Sequence, residues 1–300
     1  MISLIMKNKK LLVAIGLVTV FAACSLGDKG KVRHVRTPET VKLLANLKKV
    51  SALGFMFGHH DDTNYGIGWD GEEGRSDVKS VCGDYPAVIS FDLGHIELGD
   101  TVSLDNVPFS KIRREILNQY KRGGMSSLSW HLRNPLTGGD SWDVSDTTVV
   151  KSVLPGGSNH EKFTGWVSKV SAFINSLQTE DGVKVPVLFR PWHEHTGSWF
   201  WWGEKLCTPE EYKALWHMTV DILREDGVNN ALYAYSPGSE PQDTVQYLKR
   251  YPGDDLVDVI GFDTYQFDRD SYIANLEKSL TIIDSIGKAH NKVIAITETG

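Results

Sequence analysis

Short apolar runs alternate with helical stretches from about residue 37 to the end of the chain. Each run is nearly all apolar, and helical spacing of apolar residues returns after most of them, which predicts a parallel sheet covered on both faces. The predicted strands are Leu53–Gly58, Ala87–Asp92, Gly124–Trp130, Val185–Pro191, Ala231–Ser236, Val257–Asp263 and Val293–Thr297. The predicted helices are Pro38–Val50, Phe109–Arg122, Glu161–Leu177, Pro209–Glu225, Thr244–Lys249 and Tyr272–Ala289.

The order of these elements predicts a single α/β domain of the (β/α)8 TIM-barrel type. No Pro- or Gly-rich linker divides the chain, and no Gly-x-Gly-x-x-Gly motif follows the first strand, which disfavours a dinucleotide-binding sheet. The seventh strand ends at Thr297, close to Gly300, so we expect the eighth βα unit to be missing from this chain. We expect such a seven-stranded form to be poorly stable or inactive, because it leaves two strand edges unpaired.

The N-terminus has the pattern of an export signal rather than of folded structure. Three lysines (Lys7, Lys9 and Lys10) precede the apolar run Leu11–Ala23, which ends in small residues before Cys24. The Ala-Ala-Cys ending resembles a bacterial lipobox, with plain secretion or a retained helix as alternatives. We therefore expect a signal peptide over residues 1–23, lipidation of Cys24, a linker over 24–36 and a catalytic barrel over 37–300. We expect the protein at the outer membrane of a bacterium, on its periplasmic or surface face, where the lipid anchor alone attaches it.

Charge and composition narrow the range of partners. The net charge of −6 argues against a nucleic-acid partner, since phosphate binding needs a basic face. Nine tryptophans are compatible with binding the flat apolar faces of sugar rings, although large barrels also bury tryptophan in their cores. Apart from Cys24, the cysteines are Cys82 and Cys207. Cys82 precedes one predicted strand and Cys207 follows another, so we expect them at opposite ends of the barrel and free.

Two glutamates stand at strand ends, where barrel enzymes carry their catalytic groups. Glu194 comes shortly after the fourth predicted strand and Glu298 directly after the seventh. Glycosidic-bond cleavage needs one carboxylic acid to protonate the leaving oxygen and a second carboxylate to attack the anomeric carbon or activate water. The alternatives are a strand-end salt bridge with Arg190 or Arg133, and a surface lipoprotein that binds glycans without cutting them.

Several segments together resemble glycoside hydrolase family 26, which consists mainly of β-mannanases with a retaining barrel mechanism. The resemblance runs from about residue 37 to the end and keeps the family's order of segments. These are Phe57–His59, Arg75–Val78, Asp92–Glu97, Ser129–His131, Arg190–Glu194, Trp199–Gly203, Tyr233–Pro237 and Thr297–Glu298. Past Glu194 the sequence departs from the family, with His195-Thr196-Gly197 in place of a more polar step.

The resemblance implies roles for individual residues. Glu194 matches the family's acid/base, and Glu298 matches its nucleophile. The residues implied at the sugar or beside the carboxylates are His131 at the cleaved sugar, His193 orienting the carboxylates, Trp199 as an aromatic wall and Tyr265 as a phenol on the nucleophile. Trp202 is also placed among the substrate-binding residues, although packing of Trp201 or Trp202 between loop and barrel stays open.

The histidines after the first strand could indicate a metal, as could His193 and His195. No zinc-type spacing supports this, so we expect neither a metal nor a cofactor. We expect His59 to hydrogen-bond at the mouth of the site, and His60 and Asp61 to lie in an exposed loop. The implied substrate is β-mannan or a manno-oligosaccharide, cut internally or released as mannobiose; β-1,3-xylan and mixed-linkage β-glucan are the alternatives.

Overall fold

The computed structural model of the protein describes residues 35–300. The predicted signal peptide, Cys24 and the linker up to residue 34 lie outside the described residues. Within them, seven strands form one parallel sheet. They are β1 (Gly58–His60), β2 (Val88–Asp92), β3 (Met125–Ser129), β4 (Val187–Arg190), β5 (Ala231–Tyr235), β6 (Val259–Thr264) and β7 (Val293–Thr299).

The strands follow one another in chain order across the sheet. Each pairs in parallel with the next, from β1 beside β2 to β6 beside β7. The sheet curls into part of a barrel surrounded by helices. Within residues 35–300, β1 and β7 each have a neighbour on one side only. The prediction of a TIM-type barrel without its eighth unit is therefore confirmed.

All helices but the first stand between successive strands, and the helices surround the sheet. They are α1 (Pro38–Ser51), α2 (Asp77–Cys82), α3 (Phe109–Lys121), α4 (Val149–Val153), α5 (His160–Asn175), α6 (Pro209–Glu225), α7 (Thr244–Leu248) and α8 (Arg269–His290). All six predicted helices are present. Helices α2 and α4 were not predicted, because five or six residues are too few for a helical period to show.

Helix α6 shows how local sequence supports the site. A capping box starts the helix: the Thr208 side chain accepts the Glu211 N–H, and the Glu211 carboxylate accepts the Thr208 N–H. The buried face of the helix then presents Tyr212 to the loop after β4. The Tyr212 hydroxyl donates to the carbonyl of Trp192 at 2.9 Å. This contact anchors the loop that carries the first predicted catalytic carboxylate.

The first strand differs from the prediction. It begins at Gly58, whereas the sequence predicted Leu53–Gly58. Leu53 and Phe55 are 89% and 88% exposed, so this apolar run has no covering layer among the described residues. Pairing with β2 begins only where the Phe57 carbonyl accepts the Val88 N–H. An apolar alternation predicts a strand, but a sheet edge pairs only where the neighbouring strand reaches it.

Both cysteines of the described part are free, as predicted; Cys82 is exposed and Cys207 is buried. Trp69 is 6% exposed. Its indole N–H donates to Asp77 Oδ1 at 2.7 Å, so it stabilises the loop around a short hairpin of Tyr65–Gly66 and Trp69–Asp70. Over residues 35–300, none of the helices combines the length and the apolar character that a membrane span requires.

Candidate active site

A cleft of about 880 Å³ runs from the apolar gap between β1 and β7 to the carboxyl ends of the strands. The predicted site residues that line it are His59, His131, Tyr265 and Glu298. Trp142 also lines the cleft, although its sequence position indicated no role. The structure thus brings together side chains that are up to 239 positions apart in the chain, counted from His59 to Glu298.

Glu194 lies in the turn directly after β4. Its backbone N–H donates to the Ser236 carbonyl at 2.8 Å, which ties the turn to the end of β5. The φ angles of Trp192 and Glu194 are +55° and +53°. A left-handed conformation costs a non-glycine residue about 1–3 kcal/mol and persists where the surrounding structure enforces it, often at functional sites. The turn therefore fixes the direction of the Glu194 side chain.

The environment of Glu194 favours its protonated form. Burial raises the pKa of Glu194, and the negative charge on Glu298 raises it further. The Trp199 indole N–H donates to Glu194 Oε2 at 2.7 Å and acts in the opposite direction on that pKa. A carboxyl group with a raised pKa retains a proton that it can donate near neutral pH.

Gly197 makes the contact between Trp199 and Glu194 possible. A Cβ atom at residue 197 would lie 2.2 Å from carbon atoms of the Trp199 ring. Any larger residue would therefore displace the indole from the position in which it donates to Glu194. The structure therefore requires a glycine at residue 197.

Glu298 is placed by an irregularity in β7. The register between β6 and β7 shifts between Phe262 and Asp263, so that Asp263 pairs with Glu298 instead of Thr297. Directly paired residues project from the same face of a sheet, and a bulge re-aims the side chains beyond it. The bulge therefore turns Glu298 to the same face as Asp263, toward the barrel interior.

Two donors hold the Glu298 carboxylate. The Tyr265 hydroxyl donates to Oε1, and the Arg190 guanidinium donates to Oε2 through Nη2. Burial alone would raise the pKa of Glu298, but the charge of Arg190 and these hydrogen bonds lower it to about 2. Glu298 is consequently ionised at any pH near neutrality, as a nucleophile must be.

The two predicted carboxylates thus have opposite proton affinities. The pKa of Glu194 is raised and that of Glu298 is lowered; Glu194 follows β4, and Glu298 lies near the end of β7 in the same sheet. Pairs of titratable groups whose environments separate their pKa values are the signature of an assigned acid and an assigned base or nucleophile. The arrangement can protonate a leaving oxygen with one group and attack a carbon with the other.

A buried chain of three side chains leads from β2 to the residue before Glu194. Asp92 accepts from His131 Nδ1 at 2.7 Å, from the His131 backbone N–H at 3.1 Å and from Ser129 Oγ at 2.6 Å. His131 Nε2 in turn lies 3.0 Å from His193 Nε2. Burial and the charge of Arg190 lower the pKa of His193, so that ring is neutral. Asp92 therefore fixes the orientation of His131, and His131 contacts His193.

Trp202 was predicted to bind substrate and His193 to orient the carboxylates, and both lie behind the surface of the cleft. His193 is 1% exposed and Trp202 is fully buried. The Trp202 indole N–H donates to the His193 carbonyl at 2.8 Å, and its ring stacks on Phe200. The prediction of a sugar contact for Trp202 is wrong, because this side chain supports the catalytic loop from within. The buried position of His193 suits an orienting role better than a substrate contact.

Two exposed tryptophans flank the carboxylates. Trp199 is 41% exposed and Trp142 is 50% exposed. The Trp142 ring stacks on His131 with 5.4 Å between centroids and 11° between planes. Exposed aromatic faces beside a polar site are suited to sugar rings, and Trp142 has the geometry for this role although its loop position alone did not indicate it.

The end of β1 departs in part from expectation. His59 and His60 are exposed, and His59 Nδ1 is paired with the neighbouring His60 carbonyl at 2.8 Å. Asp61 was expected in an exposed loop but is 1% exposed, because its carboxylate accepts from Asn64 within a tight turn. The donor atoms of His60, Asp61 and Asp105 lie within 4.8 Å of one another. These three side chains have the geometry to bind a cation. Without a cation, a protonated His60 would lie between the carboxylates of Asp61 and Asp105.

Sequence reasoning missed three charged residues that organise the site: Asp92, Arg190 and Asp263. All three are buried, and each stands at or near the carboxyl end of an otherwise apolar strand. Arg190 was considered only as a salt-bridge partner that would argue against catalysis. A charged residue that interrupts an apolar strand is the signal that could have identified them, because such a side chain is buried only with a partner.

Comparison with known proteins agrees with this geometry. The sequence profile of glycosyl hydrolase family 26 matches residues 32–299. A mannan endo-1,4-beta-mannosidase from Bifidobacterium adolescentis is 35% identical over 291 residues, which are 93% of this chain and 28% of that protein. A mannan endo-1,4-beta-mannosidase from Bacillus subtilis is 27% identical over 235 residues, covering 74% of this chain and 60% of that protein. The chain therefore spans less than two thirds of the length of either relative.

Among solved structures, a family 26 β-mannanase from Bacteroides ovatus superimposes with a TM-score of 0.87 at 63% sequence identity. The match covers 88% of this chain and 77% of that one. The family profile spans nearly all of the described residues, and the barrel, its strand order and the two strand-end glutamates agree with the resemblance seen in the sequence. The chain belongs to glycosyl hydrolase family 26.

Proposed function

We propose that this protein hydrolyses β-1,4-mannosidic linkages in mannan, galactomannan or glucomannan with retention of configuration. The observation that carries the proposal is the pair of strand-end carboxylates with opposite proton affinities, Glu194 and Glu298. The choice of mannan rests on the relatives, which are named mannan endo-1,4-beta-mannosidases. The proposed reaction requires no cofactor.

In the first step, a Glu298 oxygen attacks the anomeric carbon while the bond from that carbon to the leaving oxygen breaks. The leaving oxygen takes the proton of Glu194, and a glycosyl ester forms on Glu298. Arg190 and Tyr265 keep the attacking carboxylate ionised and oriented before this step. General acid catalysis of this kind contributes roughly 10²–10⁴-fold to the rate.

In the second step, Glu194 is ionised and acts as a base. It takes a proton from water, whose oxygen attacks the anomeric carbon and releases Glu298 as a carboxylate. The ester on Glu298 carries no negative charge, so it does not raise the pKa of Glu194. Hydrolysis of the ester restores that charge, which raises the pKa of Glu194 again. The two carboxylates therefore exchange one unit of negative charge between them in each half of the cycle.

The decisive test compares variants of the two glutamates on mannohexaose, β-1,3-xylan and lichenan, with products followed over time. Glu194→Ala and Glu298→Ala should each lose mannan hydrolysis by at least about 10²-fold, whereas Glu225→Ala, an exposed glutamate at the end of α6, should leave it unchanged. Azide should restore turnover of an activated aryl mannoside by Glu194→Ala with a β-configured azide product, since glycosylation then needs no acid and deglycosylation needs no base.

The product profile also separates the alternatives. A mixture of oligosaccharides at early times indicates internal cleavage, and mannobiose alone indicates release from chain ends. Hydrolysis of xylan or lichenan in preference to mannohexaose would instead identify β-1,3-xylan or mixed-linkage β-glucan as the substrate. Mannan binding with no hydrolysis by wild-type protein that carries a complete barrel, or equal hydrolysis by the Glu194 and Glu225 variants, would contradict the proposal and favour a glycan-binding role.

We also propose that the N-terminal segment exports the protein and anchors it through a lipid on Cys24, in the outer membrane. Support comes from the sequence, where a basic stretch and a short apolar run precede Ala-Ala-Cys. Expression in a bacterial host with labelled palmitate should give a labelled membrane protein, and Cys24→Ser should abolish the label. Equal labelling of the Cys24→Ser variant would refute the anchor.

A further inference from the structure

One guanidinium in this site serves two carboxylates. Arg190 is 5% exposed at the end of β4. Its Nη1 donates to Asp263 Oδ2 at 2.7 Å, and its Nη2 donates to Glu298 Oε2. A buried charge is stable only when it is paired and hydrogen-bonded. With both carboxylates ionised, the group of three carries one more negative charge than positive.

Asp263 is placed to act on Arg190 rather than on substrate. Its side chain is fully buried, whereas the Glu298 side chain is 31% exposed. Its other carboxylate oxygen, Oδ1, accepts from the Thr297 hydroxyl at 2.6 Å. The Ser236 hydroxyl also donates to Oδ2, at 3.3 Å. Among residues 35–300, the guanidinium is the one charged group that bonds to this carboxylate.

The proton affinities of the two carboxylates differ in the free protein. Burial raises the pKa of Asp263 against the effect of Arg190, and the charge on Glu298 raises it further. Glu298 is thus the more acidic of the two carboxylates that pair with Arg190 when no ester is present. Esterification of Glu298 removes that negative charge, which leaves Arg190 buried beside a neutral ester.

We infer that Asp263 is a positioning residue that becomes the sole counter-ion of Arg190 in the covalent intermediate. The inference rests on the proposed glycosidase function and names a residue that sets the relative stability of its intermediate. Without a second carboxylate, formation of the ester would leave an uncompensated buried cation. Such unpaired buried charges are strongly unfavourable.

The step balances in atoms and charge. The bond from Glu298 oxygen to the anomeric carbon forms, and the glycosidic bond breaks with its electron pair on the leaving oxygen, which takes the Glu194 proton. Glu298 loses one negative charge and Glu194 gains one. Asp263 is ionised before and after this step and Arg190 keeps all its protons, so of the two carboxylates paired with the guanidinium only Asp263 keeps its negative charge in the ester. Hydrolysis of the ester restores the charge on Glu298.

Asp263→Asn tests the inference because asparagine keeps the shape and removes the charge. We expect glycosylation to slow by roughly 10²-fold, the order found when one preorganised electrostatic contact is lost. We expect deglycosylation to speed up or stay unchanged, because this step restores the charged Glu298 carboxylate beside an Arg190 that has no other counter-ion in the variant. The readout is the pre-steady-state burst of phenol from an activated dinitrophenyl β-mannobioside, together with the intact mass of the protein. The burst present in wild type should disappear in the variant.

The controls separate this role from a structural one. Asp255→Asn, an exposed aspartate outside the site, should keep the wild-type burst. Arg190→Lys keeps the charge and should recover more activity than Arg190→Gln. If Asp263→Asn does not fold, as judged by its thermal melt, Thr297→Val removes a hydrogen bond that stabilises the same carboxylate and should weaken the burst in the same direction.

The outcomes distinguish the inference from the proposed function. A wild-type protein that forms no glycosyl–enzyme under any condition would overturn both. A wild-type burst that persists with unchanged amplitude in folded Asp263→Asn would overturn the inference alone. Equal slowing of glycosylation and deglycosylation would also overturn it, because a purely structural defect affects both steps alike.

Discussion

Tyr265→Phe removes one of the two donors that hold the proposed nucleophile. The phenol donates to Glu298 Oε1, and Arg190 donates to the other oxygen. The hydrogen bond is strongest to a full carboxylate and weaker to an ester, since hydrogen bonds to charged groups are the strong ones. Loss of the phenol therefore makes the carboxylate a poorer leaving group when water cleaves the ester. Deglycosylation should slow more than glycosylation.

The size of this effect follows from the exposure of the contact. A hydrogen bond to a charged group contributes about 1.5–3 kcal/mol. Tyr265 is 37% exposed, so we take the low end of that range. Since about 1.4 kcal/mol corresponds to a factor of ten, deglycosylation should slow about tenfold. The same loss raises the pKa of Glu298 from about 2, so the acid limb of the pH–rate profile should move to higher pH.

The assay is pre-steady-state hydrolysis of a dinitrophenyl β-mannobioside, with intact mass measured at steady state. Tyr265→Phe should show lower kcat, lower KM and a larger fraction of glycosylated protein. The matched control is Tyr272→Phe, because Tyr272 lies nearby but its hydroxyl contacts Thr299 rather than a carboxylate. A fall in kcat/KM as large as that in kcat, with no accumulated adduct, would refute the role assigned to the phenol.

Three further predictions follow from the loop after β4 and from helix α5. Trp199→Phe removes a hydrogen bond that lowers the pKa of Glu194, so the alkaline limb of kcat/KM should move to higher pH; an unchanged or more acidic limb in a pH–rate profile would contradict this. Gly197→Ala should displace the Trp199 indole and lower kcat/KM with little change in the thermal melt, and wild-type kinetics in the folded variant would show that the displacement does not occur. Gly165 is exposed in α5, and an added Cβ there would have no atom within 4 Å. Gly165→Ala should therefore raise the free energy of unfolding, measured by urea titration, by about 0.5–1 kcal/mol. A loss of stability would refute this expectation.

Much of the fold was predictable because each barrel strand is both apolar and short. Apolar side chains on both faces of a strand are all buried only when the sheet is covered on both faces. This applies to the buried runs around Ile89, Leu128, Phe189 and Tyr233. The first strand was misplaced because Leu53 and Phe55 alternate as a strand would, while its pairing depends on how far β2 extends beside it. Periodicity records burial preference and carries no information on pairing.

The site was predictable to the extent that its residues stand at strand ends. Glu194 and Glu298 could be located from the sequence, since position after an apolar strand determines where a side chain emerges. Whether Trp202 reaches the sugar stayed open, because it belongs to one aromatic cluster with Trp199 and only packing shows which ring is exposed. The role of Asp263 was also hidden, since it depends on a bulge in the neighbouring strand that places it opposite Glu298.

The most direct test of the assigned chemistry is to trap the covalent intermediate. A 2-deoxy-2-fluoro-β-mannosyl fluoride should inactivate the protein with time and leave one sugar on the peptide that contains Glu298. Glu194→Ala should still be labelled by this activated reagent, and Glu298→Ala should not. An adduct on any other residue, or rapid hydrolysis of mannan that gives the α-anomer as the first product, would contradict a nucleophilic Glu298 paired with an acid/base Glu194.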